Sequence, residues 1–514
     1  MAQEGSNRAI AKNTMFLYFR TFVMMLIGIF TSRIVLEAIG VSDFGLYGAI
    51  GSMVAMFTII NGVLAAGTSR FLTFELGRND RVQLKKVFSA SFAMHCIMAL
   101  ILLVLFETVG LWIVNCKLSI PAGREFAANV VYQLSIITCL IGLTQVPYGA
   151  VIIAREKFDI FAYVGIGETI FKCGMPLCLI YGSFGDSLIA YAVIMALWTI
   201  GLQFFYRYYC YRLFPETHLS LCKDKGVYKS MLSYSLWDII GQFCGTGIAQ
   251  GLNILINIFF GVNYNASRSV AYTVEGHVTK FNGDFITSVI PQITKSYARQ
   301  DYDRFFELIR EFGKISFYLL FFVSLPIFIE AEYLIGLWLV EVPPQTVLFL
   351  RLIMIYMLLR APSRPLITGV HATGNVKFLN LTSGLYSFLT FLPSVYLLFR
   401  CGAPVWSCFV ILIFNANVCT VLEAISLRRD VKFSLRHYFK YVYFHSFAVT
   451  ALAATLAIVP YMFMPQSVLR VILTCLFSFL PSAIIILWLG IRREYRELLF
   501  VFVHTKISQL FLQK

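Results

Sequence analysis

The chain has 514 residues, of which 59% are hydrophobic and only 13% are charged, and its mean hydropathy is +0.76. This composition is too apolar for one or several soluble domains, so it predicts a polytopic membrane protein. The excess of Lys and Arg (42) over Asp and Glu (27) does not indicate nucleic-acid binding, because the basic residues lie in short clusters between apolar runs.

About fourteen apolar stretches are long enough to cross a bilayer, at roughly 20 residues each, so the predicted fold class is all-α. The first stretch is too long for the core of a signal peptide and lacks a clear cleavage site, so we expect it to stay as a membrane anchor. The predicted spans are 14–36, 46–68, 87–114, 127–147, 160–182, 187–209, 232–260, 269–291, 312–333, 346–369, 378–399, 405–427, 444–463 and 469–490.

The basic residues predict the orientation of these spans. With both termini in the cytoplasm, about 32 of the 42 Lys and Arg fall in cytoplasmic segments and about 5 in the opposite loops. The opposite loops are short, the longest being about a dozen residues, so none can fold into an external catalytic domain. The tail from 492 onward mixes basic and apolar residues and is expected to be an interfacial amphipathic helix.

The chain also repeats itself weakly. A shift of 221 residues brings eight identities into register within a 41-residue window, about a fifth, against about one in fifteen by chance. This shift carries the first span onto the seventh, which predicts two six-helix lobes in the same orientation. The predicted divisions are an N-terminal lobe 1–222, a C-terminal lobe 223–435, and two additional helices with a cytoplasmic tail at 436–514. The identities pair Gly40 and Val41 with Gly261 and Val262, Thr58 with Thr279, Asn61 and Gly62 with Asn282 and Gly283, Thr73 with Thr294, Arg78 with Arg299, and Asp80 with Asp301.

The opening hairpin has the turn TSRIVLEAIGVSDFGLYG and the exit RFLTFELGRND. In these residues the chain resembles the Wzx-type O-antigen and capsular polysaccharide flippases of the multidrug/oligosaccharidyl-lipid/polysaccharide (MOP) exporter superfamily. The resemblance implies alternating access between two lobes, and movement of an undecaprenyl-pyrophosphate-linked oligosaccharide across the bacterial inner membrane. It also implies a monomer among membrane lipids, with a polysaccharide polymerase and a chain-length regulator as partners in the same process.

A diphosphate crossing a low-dielectric slab needs cationic side chains in a water-filled cavity. Arg20 lies about 9 Å into the first span, deep enough to face such a cavity and shallow enough to snorkel to the interface. Lys280 is the other deep candidate, although Asp284 one turn away could neutralise it. Arg351 and Arg33 complete the predicted cationic set, with a local pair to Glu37 as the alternative for Arg33.

The seventh and eighth spans are too polar to face lipid, so they are expected to line water or another helix. The predicted polar lining could bind sugar hydroxyls, with hydrogen bonds between helices as the alternative; it is Gln242, Gln250, Asn253, Asn257 and Asn282. The titratable residues that could couple transport to a proton or sodium gradient are Asp238, Glu275, His277 and Asp284.

No GxxxxGK[ST] loop is present, so we do not expect nucleotide hydrolysis by that route, and the substrate's own concentration gradient is the alternative to ion coupling. No cofactor is expected. The 12 cysteines are scattered without CxxC pairs, so no metal site is expected. We expect a transporter and not an enzyme. Two alternatives stay open: a small-molecule or drug exporter of the same fold, and a membrane glycosyltransferase or polymerase of polysaccharide assembly, which the short loops disfavour.

Overall fold

The computed structural model describes residues 2–496, apart from short gaps within 41–57, 117–122, 183–184, 221, 340–341 and 491–495. Every regular element in these residues is helical, which confirms the predicted all-α class. Helices satisfy their backbone hydrogen bonds internally, which is what a chain of this apolarity requires in lipid.

Sixteen helices have defined bounds within the described residues. They are α1 Ala2–Ile39, α2 Thr58–Arg78, α3 Arg81–Cys116, α4 Glu125–Ala154, α5 Phe158–Tyr181, α6 Ser187–Leu213, α7 Lys225–Phe260, α8 Val262–Ala298, α9 Tyr302–Ile329, α10 Ala331–Trp338, α11 Thr346–Arg360, α12 Ser363–Thr373, α13 Val376–Arg400, α14 Ser407–Asp430, α15 Leu435–Phe463 and α16 Val468–Gly490.

Within the described chain, eleven helices are long and apolar enough to cross a membrane, or twelve if α11 and α12 form one span bent by 44°. Helix α8 has 37 residues and is long enough to cross a membrane, but its residues are too polar for it to be counted among these eleven helices. The multi-pass membrane protein is therefore confirmed, and the count of fourteen spans stays a prediction.

The chain forms two compact units. The N-terminal unit is Met15–Leu236, and the C-terminal unit is Met1–Thr14 with Trp237–Lys514. The predicted lobe boundary at 222/223 lies close to the change of unit inside α7, and the functional division into lobes stays a prediction.

In the N-terminal unit, ion pairs lie at both ends of α4. Arg124 lies just before α4, donates to Asp43, which lies between α1 and α2, and is 2.5 Å from Asp186, just before α6. One guanidinium therefore links three of the segments that connect helices. Arg155, just after α4, lies 2.7 Å from Glu216. Apolar side chains fill the space between these ends, with Tyr132 among those fully buried.

The same backbone geometry occurs in each unit at positions 221 residues apart. Gly40 and Gly261 both have positive φ angles, 79° and 83°, a conformation that glycine adopts without a steric penalty. Asp80 and Asp301 both precede a helix and accept a hydrogen bond from the backbone N–H three residues later, at 2.9 and 3.1 Å. The internal repeat predicted from the sequence therefore extends to helix ends.

Two irregular helices shape the interior of the C-terminal unit. Helices α11 and α12 are separated by a bend at Pro362, whose carbonyl accepts a hydrogen bond from the Tyr438 hydroxyl at 2.6 Å. Helix α13 contains a π-helical turn at Asn380–Leu385. Such a turn inserts an extra residue and redirects the side chains around it, and it is frequent at functional sites.

Helix α16 is attached to the end of α9 by a buried ion pair. Arg470 binds Glu330 through two nitrogens, at 3.0 and 2.7 Å, and Thr474 donates to the same carboxylate at 2.8 Å. The side chains of Arg470 and Glu330 are only 6% and 0% exposed. Both charges are therefore satisfied inside the protein.

A second buried pair lies near the other end of α9. Glu311 is 3.0 Å from Lys314 and accepts a hydrogen bond from the Tyr441 hydroxyl on α15 at 3.1 Å. Glu311 and Glu330 are about 28 Å apart along the helix, at about 1.5 Å per residue. Because this is close to the thickness of the hydrocarbon core, polar contacts hold α15 and α16 to α9 near both faces of a bilayer.

We predict that Glu330→Gln lowers the free energy of unfolding by about 3–5 kcal/mol, because it leaves the buried Arg470 without its counter-charge. The measurement is the thermal unfolding midpoint of the purified protein in detergent. Glu332→Gln is the matched control, since Glu332 is 51% exposed and 3.5 Å from Arg351, and it should cost about 0–1 kcal/mol. Equal shifts in the two variants would contradict the prediction.

Candidate functional site

The C-terminal unit contains two adjoining cavities of about 190 and 220 Å³, which share Gly241, Ser383 and Gly384 in their walls. We call them together the C-terminal cavity. Helices α7, α11, α12, α13 and α14 contribute to it. Its polar and charged lining residues are Asp238, Gln242, Arg360, His371, Asn380, Ser383, Ser387, Asn415 and Glu423.

Asp238 and His371 face each other in the first part of the C-terminal cavity. Asp238 is 3% exposed, and its Oδ1 lies 3.9 Å from Nε2 of His371. Its Oδ2 accepts no hydrogen bond from any described residue. A buried carboxylate with an unused oxygen is a place where a proton or a small cation can bind.

Arg360 and Glu423 form the wall between the two parts. The guanidinium binds the carboxylate through two nitrogens, at 3.1 and 2.9 Å, and Ser383 donates to the same carboxylate at 3.1 Å. Arg360 therefore has a full counter-charge and does not offer an anion site. The π-helical turn of α13 brings Ser383 into this position.

The polar lining continues into the second part of the C-terminal cavity. Asn415 accepts a hydrogen bond from Ser387 at 2.6 Å and donates one to Thr390 at 2.9 Å. These groups join α13 to α14 without any charge. The second part can therefore hold water beside the ion pair.

The formal charges of the C-terminal cavity do not balance. Glu423 and Arg360 cancel, His371 is neutral unless protonated, and Asp238 adds one negative charge. One proton or one monovalent cation makes the cavity neutral, which is the favoured state in a low-dielectric interior. Within the described part of the chain, no group of three His, Cys, Asp or Glu side chains is arranged to hold a metal ion.

Of the ion-coupling residues predicted on α8, none lines the C-terminal cavity. Glu275 accepts a hydrogen bond from Thr279 at 3.0 Å and is partly buried, and Asp284 is also partly buried and has contacts. His277 is exposed. Their role in coupling stays a prediction, and Asp238 is the predicted candidate that the cavity contains.

The predicted polar stripe of α7 divides along its length. Gln242, Gln250 and Asn257 are all exposed, and of these three only Gln242 lines the C-terminal cavity. Asn253, and Asn282 on α8, each have a buried side-chain oxygen with no hydrogen-bond partner among the described residues. Helix–helix hydrogen bonding therefore does not account for these two oxygens.

The predicted cations have different surroundings. Arg20, in the N-terminal unit, lies 4.5 Å from the ring centre of Phe161, and its Nε has no hydrogen-bond partner in the described chain. Lys280, in the C-terminal unit, is exposed and has no carboxylate within ion-pair distance among the residues described. Arg351 lies 3.5 Å from Glu332, and the side chain of Arg33 lies outside the described residues.

Sequence reasoning did not find His371, Asn380, Ser383, Arg360 or Glu423 as parts of one site. They come from four helices, so no spacing within a single helix connects them. The one available signal was the number of polar residues in spans that are otherwise apolar.

A family model described as polysaccharide biosynthesis protein matches residues 38–341, more than half of the chain. No curated protein matches the sequence. A point mutant of the Vibrio cholerae MATE transporter VcmN is similar in structure, with a TM-score of 0.71, 14% identity, and coverage of 84% of this chain and 98% of that chain. An outward-facing multidrug resistance MATE family transporter of the MOP superfamily has a TM-score of 0.68 at 12% identity, covering 83% and 95%. These findings confirm the resemblance to the MOP superfamily, and the low identities mean that the structural likeness shows the fold alone.

We predict that Gly241→Ala destabilises the C-terminal unit by about 1–3 kcal/mol, because a Cβ there would overlap the side chain of Asn380. Gly245→Ala is the matched control on the same helix, since its Cβ would meet nothing within 4 Å. It should be neutral or slightly stabilising, because Ala favours a helix over Gly. Thermal unfolding of the two purified variants measures the difference, and equal midpoints would refute the close contact.

Proposed function

Because the chain belongs to the family of polysaccharide biosynthesis proteins and has the fold of MATE transporters, we propose that it is a flippase for a lipid-linked oligosaccharide. The substrate is an oligosaccharide joined through a diphosphate to a polyprenyl lipid, moved across the bacterial inner membrane by alternating access. The family match is the observation that carries the proposal. The arrangement of charges in each unit supports it.

The cations that lack a counter-charge suit a diphosphate. Among the described residues, Arg20 and Lys280 have no carboxylate within ion-pair distance, whereas Arg360 is bound to Glu423. An unbalanced cation within a membrane span is costly unless water or an anion accompanies it. Phosphate oxygens match both guanidinium and ammonium groups, so a diphosphate would balance these charges during transport.

The C-terminal cavity supports coupling to an ion gradient. Asp238 carries the one negative charge that its neighbours do not cancel, and the cavity has polar walls on both sides of the Arg360–Glu423 pair. In this proposal, proton or sodium binding at Asp238 drives the change between the two access states. The protein then needs no nucleotide and performs no catalysis.

The deciding experiment is reconstitution of the purified protein in vesicles with a fluorescent polyprenyl-diphosphate oligosaccharide. Movement of the labelled lipid between leaflets supports the flippase. Export of a cationic drug without movement of the lipid would favour the alternative of a drug exporter. Formation of a new glycosidic bond would replace both with a transferase or polymerase.

We predict that Arg20→Ala and Lys280→Ala each lower the rate of lipid movement about tenfold or more, because each removes a charge-assisted hydrogen bond to phosphate. Lys172→Ala is the control, since Lys172 lies within a span but is paired with Glu168 at 2.6 Å. Surface display of polysaccharide in cells, at equal protein levels, is the second measurement. Normal display in both variants would remove these residues from the substrate path.

We predict that Asp238→Asn abolishes the dependence of transport on the ion gradient while the protein still binds its lipid substrate. The amide keeps the size of the carboxylate but cannot carry its charge. The measurement is lipid movement with and without an imposed proton or sodium gradient. A variant that responds to the gradient like the wild type would exclude Asp238 as the coupling group.

A further inference from the structure

Helix α6 in the N-terminal unit has a polar face directed into the protein. Gln203, Arg207 and Cys210 are spaced to lie on one side of the helix. Gln203 is 3% exposed and Cys210 is fully buried, whereas Phe204 and Tyr208 on the other side are 68% and 60% exposed. Arg207 is therefore on the inward face, although it is six residues, or about 9 Å, from the end of the helix.

The guanidinium of Arg207, on α6, contacts two neighbouring helices, α3 and α4. Its Nη2 donates to the Thr144 hydroxyl on α4 at 2.9 Å. The guanidinium carbon is 5.9 Å from the ring centre of Phe92 on α3 and 5.8 Å from that of Tyr148 on α4. Its Nε is buried and donates to no described residue. The side chain thus has a fixed position and an unused donor.

One turn away, Gln203 offers an unused acceptor. Its amide nitrogen donates to the side-chain oxygen of Gln145 on α4, and its own Oε1 is buried with no hydrogen-bond partner among the described residues. A buried polar atom without a partner is costly in an apolar surrounding. A ligand that accepts from Arg207 and carries a hydroxyl for Gln203 would satisfy both atoms.

The charge of Arg207 is also unbalanced. Arg360 and Arg470, which are likewise within membrane spans, each bind a carboxylate through two nitrogens. In contrast, no carboxylate of the described chain lies within ion-pair distance of Arg207. A cation within a membrane span is costly unless water or an anion accompanies it, so the partly buried Arg207 favours an anionic ligand.

We propose that Arg207, fixed by Thr144 and accompanied by Gln203, is a phosphate-binding site inside the N-terminal unit. The ligand is a phosphate group with a neighbouring hydroxyl, as in a sugar diphosphate on a lipid or in a glycerol phospholipid. Arg207 lies toward one end of a 27-residue helix and not at its centre, and lipid phosphates lie at the ends of membrane-spanning helices. Assigning the site to the transported lipid rests on the proposed function; the site itself does not.

The test uses farnesyl diphosphate as the probe and the purified full-length protein in detergent. Arg207→Gln should weaken binding at least about tenfold, the effect of losing a charge-assisted hydrogen bond to phosphate. Arg212→Gln is the matched control, because Arg212 is on the same helix but exposed beside Tyr208, at 5.2 Å from its ring centre. The control should bind like the wild type. Arg207→Lys keeps the charge and serves if the Gln variant does not fold; it should show an intermediate loss.

A second arm identifies the source of the phosphate. Phosphatidylglycerol is added as a competitor to the wild type and to Arg207→Gln. Competition that depends on Arg207 supports the site and assigns it to a phospholipid, whereas absence of competition supports the site and assigns it to the polyprenyl diphosphate. Equal binding of farnesyl diphosphate by wild type and Arg207→Gln, or equal losses in the Arg207 and Arg212 variants, would overturn the proposal.

The proposed function and this site can fail separately. A wild-type protein that moves no lipid-linked oligosaccharide, yet binds farnesyl diphosphate through Arg207, would refute the flippase and keep the phosphate site. A wild-type protein that moves the lipid, with binding unaffected by Arg207→Gln, would keep the flippase and refute the site.

Discussion

Burying a charge in an apolar interior is costly unless a partner balances it, and three buried acidic side chains in the C-terminal unit meet this constraint with a basic partner of the same chain. Arg470 with Glu330, Arg360 with Glu423, and Lys314 with Glu311 are close pairs in which at least the acidic partner is almost fully buried. Because the desolvation cost offsets much of the attraction, such pairs add less to stability than their geometry suggests. The pairs of Arg470 with Glu330 and of Arg360 with Glu423 join different helices and so fix which helices lie next to each other, whereas Lys314 and Glu311 lie on the same helix.

The charged side chains without an oppositely charged partner are the ones on which the proposed function depends. Asp238 lacks one cation, and Arg20, Lys280 and Arg207 lack an anion among the described residues. A transporter has to bind its coupling ion and its substrate reversibly, so its binding groups cannot be permanently neutralised by the protein. In the proposed function, the distinction between balanced and unbalanced charges separates residues that hold the fold from residues that are available to ligands.

Much of the fold could be predicted from the sequence. Composition and the length of the apolar runs determine the helical membrane class, and the 221-residue repeat correctly anticipated that Gly40 and Gly261, or Asp80 and Asp301, have the same local role. These features depend on short stretches of chain, where the relation between residue type and conformation is direct. Helix α8 is a harder case, since its polar residues keep it below the hydropathy of the other spans, although the predicted span 269–291 lies within its 37 residues.

The candidate site was less predictable because its parts meet only in the folded protein. Asp238 could be identified as a buried acid on a polar helix, but its neighbour His371 is more than 130 residues away on a helix that follows a bend. Ser383 donates a hydrogen bond to Glu423 from a π-helical turn, and no residue pattern in the sequence predicts that turn. Arg207 escaped notice because it is near the end of an apolar span, where arginine is common.

The ion pair between Glu330 and Arg470 has a consequence for the time course of biosynthesis. The two residues are 140 positions apart, and a ribosome adds about 5–20 residues per second, so Glu330 exists for roughly 7–28 s before its partner is made. Throughout that interval the carboxylate needs water, a proton or another protein beside it, because it cannot enter the hydrocarbon region alone. Helix α16, which is made after every other helix named here, thus supplies the counter-charge at the start of α10, and a chain that stops before α16 would leave the Glu330 carboxylate without Arg470.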